Sequence, residues 1–560
     1  MIERDLRTLV REAITHAHAS GDLRSGETPI FEVTQPQRRE HGDWSTNVAF
    51  VLTKQERKPP DVIARKIIEH IPQRDWVRNV ELAGKGFINF HLSNVWLHET
   101  AEKALRLRGE FGRGTEGLGS SASVEFVSAN PTGPLTVAAG RHAAVGDSIA
   151  RLLEFTGHNV IREYYFNDVG TQMDLLALSV QVRYMQLEGR EVPFPDDGYQ
   201  GEYVLELAKQ YREEHGAGLS ELVDLRQRLR EFAHSRILGW IRNTLDRMQV
   251  HFDEWVTEQS LYDSEEVEKV LRELRRSGHV YVKDGAEWLA AESLGDTRDR
   301  VLIRSTGPKQ PTYLAPDLAY HVAKAERAER IIDVFGADHH GQVPSLRAAL
   351  PILGVEPDRL EFIIVQFVHL LRSGQSVPMG KRTGEFITLD ELLEEVGPDA
   401  VRYTFLQSSV DHDVKFDIDQ VKKQSLENPV YYVQYGHARI ASILRNAKEH
   451  GVSETGEVIW DELRHEAEID LMRVLADFEE TVLVAARQRA PYRLAKYSEE
   501  VARHFHRFYT ECRVLTEDEK LTRARLALAR ATQQVLSNAL GLLGVSAPER
   551  MERNDSLEGE

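Results

Sequence analysis

The sequence predicts a multidomain α/β protein: a parallel-sheet domain broken by a helical insertion, with an α+β domain before it and an all-α bundle after it. Three observations predict this. Residues 123–167 read as strand, turn, helix and strand, the βαβ unit of a parallel sheet. Residues 175–275, and again everything after about 429, carry apolar side chains at helical spacing. The chain has 560 residues, more than the ~100–200 that one domain usually organises.

In chain order, residues 61–71 (DVIARKIIEHI) place apolar positions at i, i+3, i+4 and i+7, as a helix packed on one face does. NVELAGKGFINFHLS (79–93) reads as two short strands around a Gly-rich turn, and GRGTEGLGSSAS (112–123) has the composition of a linker. SVEFVSANPTGP (123–134) is an apolar strand running into a turn. The helix over 138–157 stops at Gly157, and NVIREYYFN (159–167) is the next strand. Ligands of such sheets sit beyond the carboxyl ends of the strands, which puts Ser128 to Ala139 at the mouth of a site. After the insertion, strand-like segments return at 299–305, 330–339 and 360–371, completing a Rossmann-like, nucleotide-binding sheet. Helices follow over 429–451, 464–490, 491–513 and 520–543, the last stretch of a bundle. The domains expected are 1–111, 112–428 with its insertion over about 170–298, and 429–551, with a frayed polar tail over 552–560.

Composition excludes several function classes. Apolar residues make up 41% and charged residues 28%, the balance of a chain that buries cores. With 89 acidic against 70 basic residues and a net charge of −19, a globally basic nucleic-acid coat is excluded, but not a local basic face. One cysteine, Cys512, permits no intramolecular disulfide, so a reducing cytoplasmic setting is expected. The N-terminus shows no secretory core, and no window approaches the ~18 apolar residues that span a bilayer; no membrane partner is expected. Arg487, Arg489, Arg493, Lys496, Arg503, His504, His506, Arg507 and Arg513 interleave with Phe505, Phe508 and Tyr509. That mixture suits RNA, although spacing alone favours a solvated helix face together with core aromatics.

Four segments together resemble the arginine–tRNA ligases, a family of class I aminoacyl-tRNA synthetases. They are VEFVSANPTGPL (124–135), YYFNDVGTQM (164–173), YLAPDLAYH with FGADHHGQVP (313–321 and 335–344), and NPVYYVQYGHARI (428–440). GFINFHLS (86–93), GPDAVRYTFL (397–406) and LGLLGVSAPERM (540–551) are similar to the same family in the same order, so the resemblance runs nearly end to end. Two departures sit at the chemistry. Where the class carries a His-x-Gly-His box, this chain has Thr136, Val137, Ala138 and Ala139; where it carries Lys-Met-Ser-Lys-Ser, this chain has Pro378, Met379, Gly380, Lys381 and Arg382.

The resemblance implies residue roles. Lys381 and Arg382 would act on phosphate as a flexible cationic pair, with a basic exposed turn as the plain alternative. Ala138, Ala139 and Gly140, small residues at a helix start, would let ATP phosphates approach backbone N–H groups, with Met379 beside them and Gly336 and Asp338 at the ribose. Thr136, Arg141 or His142 could replace the lost imidazoles. His142, six residues past Thr136, is expected to face away. A guanidinium has five donors in a planar fork and is best met by carboxylates and an aromatic face. Tyr313 and Asp317 match the family's positions for that task, Glu125 and Asn130 line the same pocket with Asn130 at the α-amino end, and Glu258 is a further carboxylate. Asp317 also reads as a helix N-cap.

Phe87 and Asn89 fall where the family reads an unstacked base of the tRNA elbow, with a buried strand phenylalanine as the alternative. Arg503 and Arg507 are the candidate tRNA contacts of the last domain. No resident metal is expected at His339 and His340, since adjacent histidines diverge and no thiolate joins them; Mg2+ would arrive with ATP. The implied activity is ATP-dependent arginylation of tRNA by a monomer, with arginine activation requiring bound tRNA. A non-catalytic paralogue that binds tRNA or arginine is the alternative the altered boxes leave open.

Overall fold

The computed structural model describes residues 2–36, 38, 41–305, 311–377, 379–380, 385–452 and 456–551; the tail over 552–560, Lys381 and Arg382 lie outside these. The chain divides into two compact units. One comprises Met1–Phe111, Ile440–Glu480 and Glu500–Val535, the other Gly112–Arg439, Thr481–Glu499 and Leu536–Glu560.

The first unit begins with α1 (Ile2–Ala19), β1 (Val33–Thr34), β2 (Trp44–Thr46), α2 (Val48–Glu56), α3 (Pro60–Glu69), β3 (Val77–Ala83), β4 (Phe87–Leu92) and α4 (Val95–Leu107). The strands form one antiparallel sheet in the order β1-β2-β4-β3. Helix α3 lies where its periodicity places it: Pro60 starts it with a pre-set φ, and Ile63, Ala64 and Ile67 are buried on one face.

The second unit is built on β5 (Ser121–Glu125), α5 (Val137–Phe155), β6 (Asn159–Phe166), α6 (Thr171–Leu187), α7 (Glu202–His215), α8 (Leu225–Arg247), β7 (Glu254–Thr257), α9 (Glu258–Asp263), α10 (Glu266–Arg276), β8 (Val280–Lys283), β9 (Ala286–Leu289), β10 (Arg300–Ile303), α11 (Leu314–Arg327), β11 (Arg330–Gly336), α12 (Val343–Ala349) and β12 (Leu360–Val365). Five of these strands make a parallel sheet in the order β12-β11-β5-β6-β7. The chain leaves β5 toward β6 and returns on its other side as β11, so the crevice beyond the carboxyl ends of β5 and β11 is the topological switch point.

Three sequence expectations change here. The helical insertion is not uninterrupted: β7, only four residues long, is a strand of the main sheet, and α6–α8 form the crossover to it. Segment 299–305 does not join that sheet, because β10 pairs antiparallel with β9 in a separate three-stranded sheet with β8. Segment 360–371 likewise splits into β12 and β13 (Val368–Arg372), which pairs with other partners.

The rest of the chain is β14 (Gln375–Ser376), β15 (Met379–Gly380), β16 (Glu385–Phe386), α13 (Leu389–Val396), α14 (Pro398–Leu406), β17 (Val414–Asp417), α15 (Ile418–Val421), α16 (Pro429–Glu449), α17 (Glu466–Ala476), α18 (Phe478–Arg487), α19 (Tyr492–Glu511) and α20 (Glu519–Leu542). Phe505 and Phe508 of α19 are fully buried, whereas Arg493, Lys496 and Arg503 of the same helix are exposed. No helix among the described residues is long and apolar enough to cross a membrane.

Three strings that are far apart in sequence meet in the second unit. Arg402 of α14, fully buried, donates to the carbonyls of Leu543 (3.0 Å) and Met248 (2.8 Å) and to Asp147 Oδ2 (2.6 Å) on α5. Gln434 of α16 donates to Asp399 (2.8 Å) and to the Ser546 carbonyl (3.0 Å). Breaking a buried ion pair from one side leaves the other charge stranded. We expect Arg402→Ala to destabilise the protein by about 3–5 kcal/mol in urea unfolding, and Arg402→Ala with Asp147→Ala to cost less than the sum of the two.

Candidate active site

At the end of β5 the backbone departs from regular geometry. Val127 and Ser128 adopt φ of 68° and 40°, the left-handed region that a β-branched residue such as Val127 avoids. Such a conformation costs on the order of 1–3 kcal/mol and persists only where its surroundings impose it. Here the turn lets Ser128 Oγ donate to Glu125 Oε1 (2.8 Å) and accept from the Tyr165 amide (3.2 Å). Tyr164 both donates to and accepts from the Ala129 backbone, at 2.9 and 3.1 Å. The Asn130 side chain bonds Gln172 (3.0 Å) and the Asn167 amide (3.3 Å), which joins the mouth of β5 to the start of α6.

Beneath this turn lies a buried charge cluster. Lys324 of α11, fully buried, donates to Glu125 Oε2 (2.7 Å) on β5 and to Asp333 Oδ1 on β11. Arg327 (2.6 Å), Tyr320 (3.1 Å) and Ser123 (2.8 Å) all donate to Glu163 of β6. His321 stands between Asp333 Oδ2 (2.8 Å) and the Asp317 carbonyl (2.7 Å); both are acceptors, so a ring that donates from each nitrogen satisfies them. Lys324 and His321 hold the Asp333 carboxyl well below the usual range against the effect of burial.

Toward the crevice the compensation stops. Burial pushes Glu258 up to about 7; the Tyr165 hydroxyl, donating at 3.1 Å, works against this and the Asp317 charge adds to it. Burial likewise lifts Asp317 to about 6, offset in part by His321 and reinforced by Glu125. Burial first, and then the charges of Asp317, Glu258 and Glu125, hold the Tyr165 hydroxyl in its protonated form, and its ring stacks on Tyr320 at 4.7 Å. Among the described residues neither Glu258 nor Asp317 has a lysine or arginine partner. The crevice therefore holds two carboxyls whose burial no lysine or arginine ion pair offsets among the described residues.

Asp317 is not the helix N-cap. The helix begins earlier, at Leu314 with Tyr313 at the cap position, so Asp317 is free to serve the pocket from the first turn. Tyr313 is 53% exposed at the same helix start. Sequence reasoning missed Lys324, Asp333, His321 and Tyr165. A signal existed for two of them, since Asp317, His321 and Lys324 are spaced four and three apart, a polar stripe on an otherwise apolar helix.

The N-terminus of α5 borders the crevice. Thr136 occupies the N-cap position, makes no side-chain capping bond, and bridges antiparallel to Thr388; the Leu389 amide donates to the Leu135 carbonyl (2.9 Å). β15 and β16, which flank 381–384, pair with each other just before this bridge, so the strand containing Met379 is tied to the start of α5. Ala138 is partly exposed, whereas Ala139 and Gly140 are buried. The smallness of Gly140 serves packing, because a Cβ there would lie 2.7 Å from Leu389 Cδ1.

Arg141 does not face the crevice. It is fully buried and donates to the carbonyls of Gln366 (2.7 Å), Phe367 (3.3 Å), Ser409 (3.1 Å) and His412 (2.8 Å). His142, expected to face away, instead lies against Gly336 at the end of β11. A Cβ on Gly336 would sit 3.1 Å from His142 Cε1 and 2.5 Å from Asp338 Oδ1, so both side chains close on this glycine. Among the described residues no group of three or more His, Cys, Asp or Glu side chains is placed to hold a metal ion.

Comparison with known proteins resolves what such a crevice belongs to. Residues 119–413 match the family described as tRNA synthetases class I (R), catalytic domain; residues 4–92 match the arginyl tRNA synthetase N terminal domain; residues 433–551 match the DALR anticodon binding domain. The chain belongs to the arginyl-tRNA synthetase family. It is 44% identical to the arginine–tRNA ligase of Desulfitobacterium hafniense (strain DSM 10664 / DCB-2), over 96% of this chain and 97% of that one. It is 46% identical to the arginine–tRNA ligase of Syntrophotalea carbinolica, over 98% and 99%. The solved Thermus thermophilus arginyl-tRNA synthetase superposes with a TM-score of 0.75 at 25% identity, over 98% of this chain and 100% of the other.

Within an arginyl-tRNA synthetase family member, the tRNA-facing candidates differ in setting. Phe87 is 46% exposed, its ring 4.9 Å from that of Phe50, while Asn89 on the same strand face is buried. Arg507 is committed to Asp470 (2.9 Å), Glu466 (3.2 Å) and Glu511 (3.0 Å), whereas Arg503 reaches Glu500 (3.3 Å) and His504 (3.1 Å) from an exposed position.

The raised carboxyls fix a pH dependence. If these carboxyls take up a guanidinium they do so in their ionised forms, and with pKa values near 7 and 6 protons would have to leave on binding near neutrality. Arginine affinity should weaken as pH falls from about 8 to about 6, and calorimetry at pH ~7 in buffers of different ionisation heat should show net proton release on binding.

Proposed function

We propose that this chain attaches arginine to its cognate tRNA, and that Asp317, Glu258, Glu125 and Tyr313 form the amino-acid pocket. The observation that carries the reading is the pair of carboxyls, Glu258 and Asp317, held up by burial without a lysine or arginine ion pair among the described residues. A guanidinium supplies what the pocket lacks: a delocalised charge and paired donors, with Tyr165 and Tyr313 as aromatic neighbours. A substrate without those donors leaves buried carboxyls unpaired and is rejected on that ground.

In the first step an oxygen of the arginine carboxylate forms a bond to the α-phosphorus of ATP. The bond from that phosphorus to the bridging oxygen breaks, and pyrophosphate leaves with the electron pair. In the second, a ribose hydroxyl of the tRNA's terminal adenosine attacks the acyl carbon of arginyl-adenylate, releasing AMP and a proton. The start of α5 at Thr136, Ala138 and Ala139 receives the phosphates, the Gly336–Asp338 turn receives the ribose, and Lys381 with Arg382 balances the charge that builds on pyrophosphate. Mg2+ enters with the triphosphate. Asn130 holds the α-amino end of arginine.

Residues 1–111 hold the tRNA elbow, with exposed Phe87 as the contacting side chain and buried Asn89 supporting its strand, and residues 429–551, with Arg503 and Arg507, read the anticodon. A cytoplasmic monomer is the working state. Arginine-dependent ATP–pyrophosphate exchange with and without cognate tRNA tests the reading: exchange that requires both arginine and tRNA is expected, and exchange in neither condition from folded protein would refute it. Lys381→Ala should lower adenylate formation by about 10²-fold or more while leaving tRNA affinity within twofold, read by pre-steady-state quench and filter binding.

A further inference from the structure

We propose that His142 is a catalytic residue of adenylate formation, donating a hydrogen bond from its imidazole to the α-phosphate of ATP. The inference rests on the functional reading above and deepens it. Residue 142 is one helical turn past Ala139 on α5, so the two project from the same side of the helix that borders the crevice. The ring lies against Gly336, at the carboxyl end of β11 and beside the Asp338 carboxylate. If ribose rests on the Gly336–Asp338 turn and the outer phosphates on the start of α5, the α-phosphate, which joins them, falls between those two places. His142 stands there.

Its state suits the task. Burial holds the ring down to about 4, with Asp338 pulling the other way, so at neutral pH it is an uncharged imidazole carrying one N–H to donate. Among the described residues neither ring nitrogen makes a hydrogen bond, and neither is sealed from solvent. The two other side chains that could replace the imidazoles missing at Thr136 and Ala139 do not compete. Arg141 is spent on four backbone carbonyls, and Thr136, at the N-cap of α5, stands with the outer phosphates about two turns from the Gly336 turn rather than between it and the helix start. A side chain kept only to fill space would have no need of a free donor at this place.

The test is single-turnover arginyl-adenylate formation by the full chain with tRNA, ATP and arginine, on wild type, His142→Leu and His142→Gln. Loss of one preorganised donor costs on the order of 10²–10³-fold. His142→Leu, which keeps volume and removes the donor, should lose that much, with arginine affinity and melting temperature unchanged. His142→Gln, which keeps an N–H donor, should lose less than tenfold. His142→Ala carries the same expectation as the leucine variant should that one not fold, and in its background Ala139→His, which returns an imidazole one turn earlier, should recover at least tenfold. A donor-free variant within threefold of wild type would overturn the assignment and leave the functional reading standing. Wild type that forms no adenylate would instead remove the reading itself.

Discussion

The site depends on one buried cation. Lys324 reaches from α11 to carboxylates on β5 and β11, the two strands that flank the topological switch point, and every other feature of the pocket is placed relative to that contact. Two adjacent parallel strands carrying Glu125 and Asp333 side by side would repel each other in a low-dielectric interior. The lysine removes that repulsion and sets the height of α11 over the sheet. Because α11 is rigid, fixing Lys324 also fixes Asp317, seven residues toward its start, at the mouth of the crevice.

The same helix therefore does opposite things at its two ends. At Lys324 and Arg327 it brings cations to Glu125, Asp333 and Glu163, and the charge of those acids is compensated. At Asp317 it brings another acid toward Glu258, and the negative charge is left in excess. A protein that needs to grip a cation reversibly has to keep some carboxyl unpaired, at a cost in stability, and close to others that are paired. The strained turn at Val127 and Ser128 belongs to the same logic. It holds Glu125 from the solvent side, so that this carboxylate is gripped by Lys324 below and by Ser128 above.

Much of this was legible in the sequence. The βαβ unit after residue 121, the helix at 60–69 and the long C-terminal helices follow from periodicity and punctuation, and the structure places them within a few residues. The strand β7 was not legible, because four residues between two helical stretches carry no period to detect. Segments 299–305 and 360–371 were read correctly as strands but assigned to one sheet. Which sheet a strand joins is decided by partners remote in sequence, and an apolar run does not name them. For Arg141 and His142, adjacent on one helix, composition could not tell which faces inward to carbonyls and which faces the Gly336 turn.

What the sequence determined by itself is the set of local choices: where helices start and stop, which strand ends in a turn, and which short strings carry the family likeness. Each follows from forces acting over a few residues, namely steric preference, capping and amphipathic spacing. What only the tertiary structure decided is charge compensation. Whether Glu125, Asp317 or Glu258 is neutralised depends on Lys324, His321 and Tyr165, which come from other parts of the chain, and on how much water burial removes. Electrostatic energy in a protein interior is set by distance and dielectric, and neither can be read until the chain has folded.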